Sequence, residues 1–198
     1  MKRIACEADN GDQSGILCAF FRDPPFTQAR SFLTPTTGLS NLPRSKQSVM
    51  PFAQLVVGPP GSGKSTYCNG MHQFMSAIGR KSSVVNLDPA NDQIPYPCAL
   101  DIRDLVTLED IMLNDELGPN GSVLYALEEL EQNMDWLAAG LKELGDDYIL
   151  FDCPGQVELF THHDSLRKIF FQIQKLGYRV CFCPCLSTQL TGLTYYSS

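Results

Sequence analysis

The 198-residue chain is sparing with the residues that metal centres and secreted scaffolds rely on. It has three histidines, and the adjacent pair His162-His163 has no further His or Cys at metal-binding spacing, so a solvated loop or helix start is the preferred reading. None of its eight cysteines forms a C-x-x-C pair, and the chain is too long and apolar to need disulfide staples, so reduced thiols are expected. Cys181, Cys183 and Cys185 alternate onto one face of a strand, yet a fourth ligand is missing, which disfavours zinc there. No apolar run approaches the ~20 residues of a membrane span. The basic start Met1-Lys2-Arg3 is followed by Glu7, Asp9 and Asp12, which interrupt a secretory segment, and the apolar run from Gly15 to Phe21 is short. The chain is therefore read as soluble and intracellular, without a membrane partner. Positive charge is also scarce: the formal net charge is −7, and residues 50–198 hold nine basic against eighteen acidic side chains. An acidic body argues against a direct nucleic-acid surface.

Residues 1–49 are rich in Ser, Thr, Pro and Gly, with prolines at 24, 25, 35 and 43, and are expected to be a disordered leader. From Phe52 onward strands and helices alternate, the signature of an α/β fold with a mainly parallel sheet. Strands are expected at Phe52–Val57, Ser83–Asp88 and Tyr148–Asp152, with a fourth beginning at Tyr178. A helix should follow the first strand and close near Gly79, a suitable C′ residue. Pro89 to Cys98 reads as a loop, and Asp101 to Met112 as one or two short helices, with Thr107 and Asp110 resembling a capping box. Gly118-Pro119-Asn120-Gly121 should break the chain. One long amphipathic helix then carries Leu127, Leu130, Met134, Leu137, Leu141 and Leu144 on one stripe, read as a face packed on the sheet with a dimer seam as the alternative. Leu166, Ile169, Phe170 and Ile173 mark a last helix between His163 and Leu176.

The stretch Gly58-Pro59-Pro60-Gly61-Ser62-Gly63-Lys64-Ser65-Thr66 fits G-x-x-x-x-G-K-[ST], between a strand and a helix. Glycines there let the backbone close on a phosphate without a Cβ in the way, and successive N–H groups at a helix N-terminus form an anion-binding concavity. Gly61, Ser62, Gly63, Lys64, Ser65 and Thr66 are the candidate nucleotide-binding residues. Lys64 would reach the β- and γ-phosphates, and the Ser65 hydroxyl would ligate Mg²⁺. Asp152 ends a buried strand and resembles the acid that holds Mg²⁺ directly or through water, so Ser65 and Asp152 are the metal candidates. Asp152-Cys153-Pro154-Gly155 is a D-x-x-G, in which the glycine N–H can meet a terminal phosphate. Asp88 reads either as a turn cap or as a second ligand or base; its strand and that of Asp152 are expected on either side of the P-loop strand. Gln156 is a candidate for orienting a water. Glu158, Asp92 and Asp101 are weaker acidic candidates.

The P-loop, Asn86-Leu87-Asp88-Pro89-Ala90-Asn91, Gly118-Pro119-Asn120 and Asp152-Cys153-Pro154-Gly155-Gln156-Val157-Glu158 occur in one order, and together they resemble the GPN-loop GTPase family over about residues 51–180. The resemblance implies a P-loop NTPase three-layer fold and an enzyme that binds GTP with Mg²⁺ and hydrolyses its β–γ anhydride. It implies a homodimer, or a heterodimer with another GPN-loop GTPase, in which Asn120 of one copy stabilises the transition state in the other. Asp88, Gln156 and Glu158 would arrange water. It further implies a role in RNA polymerase II assembly or nuclear import, from the cytoplasm with shuttling to the nucleus. The family's guanine-reading [NT]-K-x-D is nowhere in this sequence, and residues 181–198 do not look like the family. The domain, residues 50–180, is therefore expected to be C-terminally truncated and followed by a non-family tail. Two competing readings follow: a non-catalytic dimerising fragment without guanine selectivity, and a P-loop small-substrate kinase, for which Arg103, Arg167 and Arg179 are too dispersed to form a lid.

Overall fold

The computed structural model describes residues 51–115, 117–156, 159 and 163–185. Strands β1 (Phe52–Val57), β2 (Ser82–Asn86), β3 (Cys98–Asp101), β4 (Tyr148–Asp152) and β5 (Arg179–Pro184) form one sheet in the order β3-β2-β4-β1-β5. Every pairing is parallel. Between the strands run α1 (Lys64–Ala77), α2 (Leu108–Asp115), α3 (Pro119–Gln132), α4 (Met134–Glu143) and α5 (Ser165–Lys175), with a 3-10 turn at Ile102–Asp104.

Strands β1, β2 and β4 are continuous apolar runs because both of their faces are covered. Leu55, Val57, Val85, Leu87, Ile149 and Phe151 enter one core with α2 through α5. Their alternates Val56, Val84 and Leu150 enter a smaller core with Cys68 and Tyr96, against which Tyr67 and Met71 of α1 pack. Helices therefore lie on both faces of a parallel sheet, the three-layer α/β architecture the sequence implied. Buried Gln54 is satisfied on the α1 side: its Nε2 donates to the Tyr67 hydroxyl at 2.7 Å, and its Oε1 accepts from the Tyr148 hydroxyl at 3.1 Å. At the end of α1, Gly79 has φ 73° and gives its N–H to the Ser76 carbonyl, while Arg80 N–H reaches Met75, a Schellman closure.

Five expectations are corrected. First, β2 stops at Asn86, so Asp88 lies in the loop beyond the strand. Second, β4 separates β2 from β1, so the strands leading to Asp88 and Asp152 lie on the same side of β1. Third, Cys98–Asp101 is an edge strand; it is too short to show alternation and has a register irregularity opposite Val84/Val85. Fourth, Gly118-Pro119-Asn120 opens a helix. Gly118 is extended at φ −72°, ψ 166° and precedes Pro119 in the first turn, where a missing N–H costs nothing. Fifth, the long helix is two helices, interrupted at Asn133 (φ −107°, ψ 37°), whose side-chain amide bonds the Glu129 carbonyl at 2.8 Å.

Leu127, Leu130, Leu137 and Leu141 are buried in the core across that break, so the leucine stripe is packing against the sheet. The Thr107 cap is present: its hydroxyl oxygen accepts from the Asp110 N–H at 3.2 Å and donates to the Asp110 carboxylate at 2.7 Å.

Leu127→Ala should destabilise the chain by about 2–5 kcal/mol in urea unfolding, through lost transfer energy and a residual cavity. Phe74→Ala, on the open face of α1 with 55% exposure, should stay within about 0.5 kcal/mol.

Candidate functional site

The site sits where the C-terminal ends of β1, β2 and β4 meet the loop 58–63, the sheet edge at which open α/β folds bind ligands. Asp152 is aligned with Val56 on one side and Asn86 on the other, which fixes its backbone at the sheet's centre. The loop turns through Gly61 (φ 72°) and Gly63 (φ 83°), left-handed conformations that a side chain would strain. Gly63 then caps α1, which begins at Lys64, inside the motif itself. The loop thus delivers the positive end of the helix directly beneath its own N–H groups.

A cleft of about 460 Å³ opens over this loop, lined by Gly61, Gly63, Lys64, Ser65, Thr66, Asp88, Asn91, Gly155 and Gln156, among others. Most of the expected site residues therefore converge on one space. Ser62 is not among its lining residues; its Oγ is buried without a hydrogen-bond partner, and a Cβ on Gly58 would come within 2.7 Å of it. Asn120 is exposed on the first turn of α3 and does not line the cleft. Asp101 is engaged elsewhere: Arg103 forms a salt bridge to it at 2.7 Å, and the Asn86 amide donates to it at 3.0 Å. The Arg103 donors hold the Asp101 carboxyl below its ordinary range against the opposing effect of burial. Asp92 is exposed and does not line the cleft. Glu158 and His162 lie outside the described residues.

Lys64 is 8% exposed, with its ammonium donating to the Pro59 carbonyl at 3.4 Å. A charge held in so dry a place, on a single long bond, is poised for an anionic partner. Gly155 packs against it: a Cβ there would lie 2.7 Å from Lys64 Nζ and 2.8 Å from Pro60 N. The D-x-x-G glycine is thus required by close approach to the P-loop.

Asp152 is 1% exposed. Its Oδ2 accepts from the Tyr96 hydroxyl at 2.8 Å and from the Asn91 amide at 3.4 Å, while its Oδ1 is buried with no partner. The Asn91 amide also donates to Ser65 Oγ at 3.1 Å. Burial pushes the Asp152 carboxyl above its usual range, opposed by the neighbouring Ser65 and Tyr96 hydroxyls and by the Lys64 charge. Burial likewise raises Asp88, against the Ala90 N–H and Lys64. Asp88 is a turn cap, its Oδ1 accepting from Ala90 N–H at 3.0 Å, and it also lines the cleft.

Asn91 and Tyr96 were not anticipated as site residues. Asn91 stood inside a motif without a chemical role of its own, and Tyr96 between two prolines carries no periodic or motif signal.

A Mg²⁺ ion fits this donor set. A buried carboxylate with one unpartnered oxygen, beside a serine hydroxyl, offers the hard oxygen ligands a small divalent cation takes, and the cation would offset the charge that burial makes costly.

A family model described as a conserved hypothetical ATP binding protein matches residues 56–192. GPN-loop GTPase 2 of Saccharomyces cerevisiae is 60% identical over 136 residues, covering 67% of this chain and 39% of that protein. Its Danio rerio counterpart is 59% identical over 129 residues, covering 65% and 42%. The crystal structure of a GTPase in apo form from Pyrococcus abyssi superposes with a TM-score of 0.56 at 28% identity, covering 66% of this chain and 52% of that one. The chain thus spans about two-fifths of the length of the curated relatives it matches.

Asp152→Asn should raise the stability of the ligand-free, metal-free chain at pH 7. A carboxyl raised by burial favours the folded state below its unfolded value, near 3.9, and loses that contribution as pH rises through the higher folded value. Melting curves in EDTA should therefore separate the variant from the parent at pH 7 and converge towards pH 4.

Proposed function

The chain belongs to the GPN-loop GTPase family, and on that premise we propose that it binds GTP with Mg²⁺ and hydrolyses the β–γ anhydride. The observation that carries this reading is the convergence, in one cleft, of a glycine cradle at a helix N-terminus and a buried lysine with a single long hydrogen bond. Asp152, a buried carboxylate with an unpartnered oxygen, does not line the cleft but shares the Asn91 amide with Ser65, which does. The backbone N–H groups of the loop and the Lys64 ammonium take the β- and γ-phosphates, positioned donors for the charge that grows on the phosphoryl oxygens. Ser65 and Asp152 would hold Mg²⁺, which would supply positive charge against the phosphates. Gln156, whose Oε1 is buried without a partner at the cleft wall, accepts a hydrogen bond from the attacking water. Asp88 takes part in ordering that water, and Glu158 is assigned to the same task by family membership alone.

Asn120 enters through dimerisation, as homodimer or heterodimer. Its exposure at the tip of α3, away from its own cleft, is compatible with reaching a second copy's site. RNA polymerase II as client, and the cytoplasm with nuclear shuttling as location, rest on family membership.

GTP is chosen over ATP because the named relatives are GTPases; the family model's description names ATP. The kinase alternative is weakened by Arg103, which is tied to Asp101.

Lys64→Ala should weaken binding of a fluorescent non-hydrolysable GTP analogue to the full chain by about two orders of magnitude or more. Undiminished binding by that variant would remove the P-loop assignment. The same titration with the ATP analogue decides the base: equal affinities would favour the fragment without guanine selectivity.

A further inference from the structure

We propose that Tyr96 is a positioning residue for the metal site: its hydroxyl engages one oxygen of Asp152 so that the other stays free for the cation. This deepens the reading of the cleft as a Mg²⁺-nucleotide site and rests on it. A carboxylate at a sheet edge has two equivalent oxygens and a broad side-chain torsion, so something must decide which oxygen faces the ligand. Here the two are inequivalent. Oδ2 receives the Tyr96 hydroxyl at 2.8 Å, the shorter of its two hydrogen bonds, and the Asn91 amide at 3.4 Å; Oδ1 receives nothing.

Tyr96 is well placed to impose that division. It is 5% exposed, and its ring belongs to the apolar layer with Val56, Cys68, Val84 and Leu150, so the phenol's position is set by the sheet and by α1. The hydroxyl has no competing hydrogen-bond partner among the described residues. Asn91, by contrast, lies on the partly exposed loop and divides its amide between Ser65 and Asp152. The rigid donor fixes the carboxylate, while the loop donor can leave when a cation takes Ser65. Hydrogen-bonding partners behind a metal ligand commonly carry a tenfold to hundredfold share of metal affinity.

The test is Tyr96→Phe in the full chain, which keeps the ring in its layer and deletes only the hydroxyl. Binding of a fluorescent non-hydrolysable GTP analogue is titrated with Mg²⁺ and repeated in EDTA, with a melting curve for each protein. The Mg²⁺ concentration at half-saturation should rise about tenfold or more, while affinity in EDTA stays within about twofold. Replacing Tyr96 by 4-aminophenylalanine, which restores an N–H donor at the same place, should recover most of the loss and also supplies a variant should Tyr96→Phe fold poorly. An unchanged Mg²⁺ half-saturation, equal loss with and without Mg²⁺, or no rescue by the amino analogue would overturn the role of Tyr96. A parent chain whose nucleotide binding ignores Mg²⁺ would instead overturn the reading of the cleft itself, and Tyr96's role with it.

Discussion

A buried carboxylate that its own fold leaves half-satisfied is the constraint on which this structure turns. Asp152 sits at the centre of the parallel sheet, with Val56 and Asn86 flanking it in register and 1% of its surface exposed. An ionised carboxyl in that position is costly, and burial accordingly raises it above its usual range. The nearby compensations, Tyr96, Ser65 and the Lys64 charge, leave Oδ1 without a partner. A group retained at such a cost makes sense when a ligand supplies the remainder, and strain of this kind concentrates where function needs it.

The rest of the fold can be understood as the scaffold that keeps the carboxylate there. Two-sided burial of β1, β2 and β4 stops register slippage, which in a pleated strand would carry Asp152 to the other face. The loop from Gly58 to Gly63 must pass close to the end of β4, which is why Gly155 has no room for a Cβ. The same crowding keeps Lys64 near the carboxylate it partly offsets. The phosphate cradle and the metal site are therefore one packing solution in which neither half can move far without the other.

Much of this was legible in the residues because it is written in local rules. Glycines at the turn, a lysine and a serine opening a helix, and aspartates after apolar runs follow from backbone conformation and from what phosphate and Mg²⁺ demand. The strands Phe52–Val57 and Tyr148–Asp152 follow from continuous apolar runs, and the last helix, Ser165–Lys175 within the expected His163–Leu176, from amphipathic spacing. The order of strands was not local: nothing in the residues from Ser82 to Asn86 says that β4, some sixty residues later, inserts between them and β1. Nor was the hydrogen bond from Tyr96 to Asp152, which joins residues 56 positions apart through the packing of an aromatic ring. The Gly-Pro-Asn stretch was misjudged for a different reason. Proline and glycine signal a break in an element, but at a helix's first turn they are its start, and only the extended backbone of Gly118 tells the two apart.

The central claim is that loop 58–66, Ser65 and Asp152 together form one Mg²⁺-nucleotide site, and a crystal structure of the full chain with Mg²⁺ and a non-hydrolysable GTP analogue tests it most directly. The account predicts phosphates cradled by the backbone N–H groups from Gly61 to Ser65. It also predicts a cation at roughly 2.0–2.1 Å from Ser65 Oγ, on the Asp152 Oδ1 side, directly or through one water. A nucleotide whose phosphates lie away from that loop, or a cation that leaves Asp152 unengaged, would contradict it.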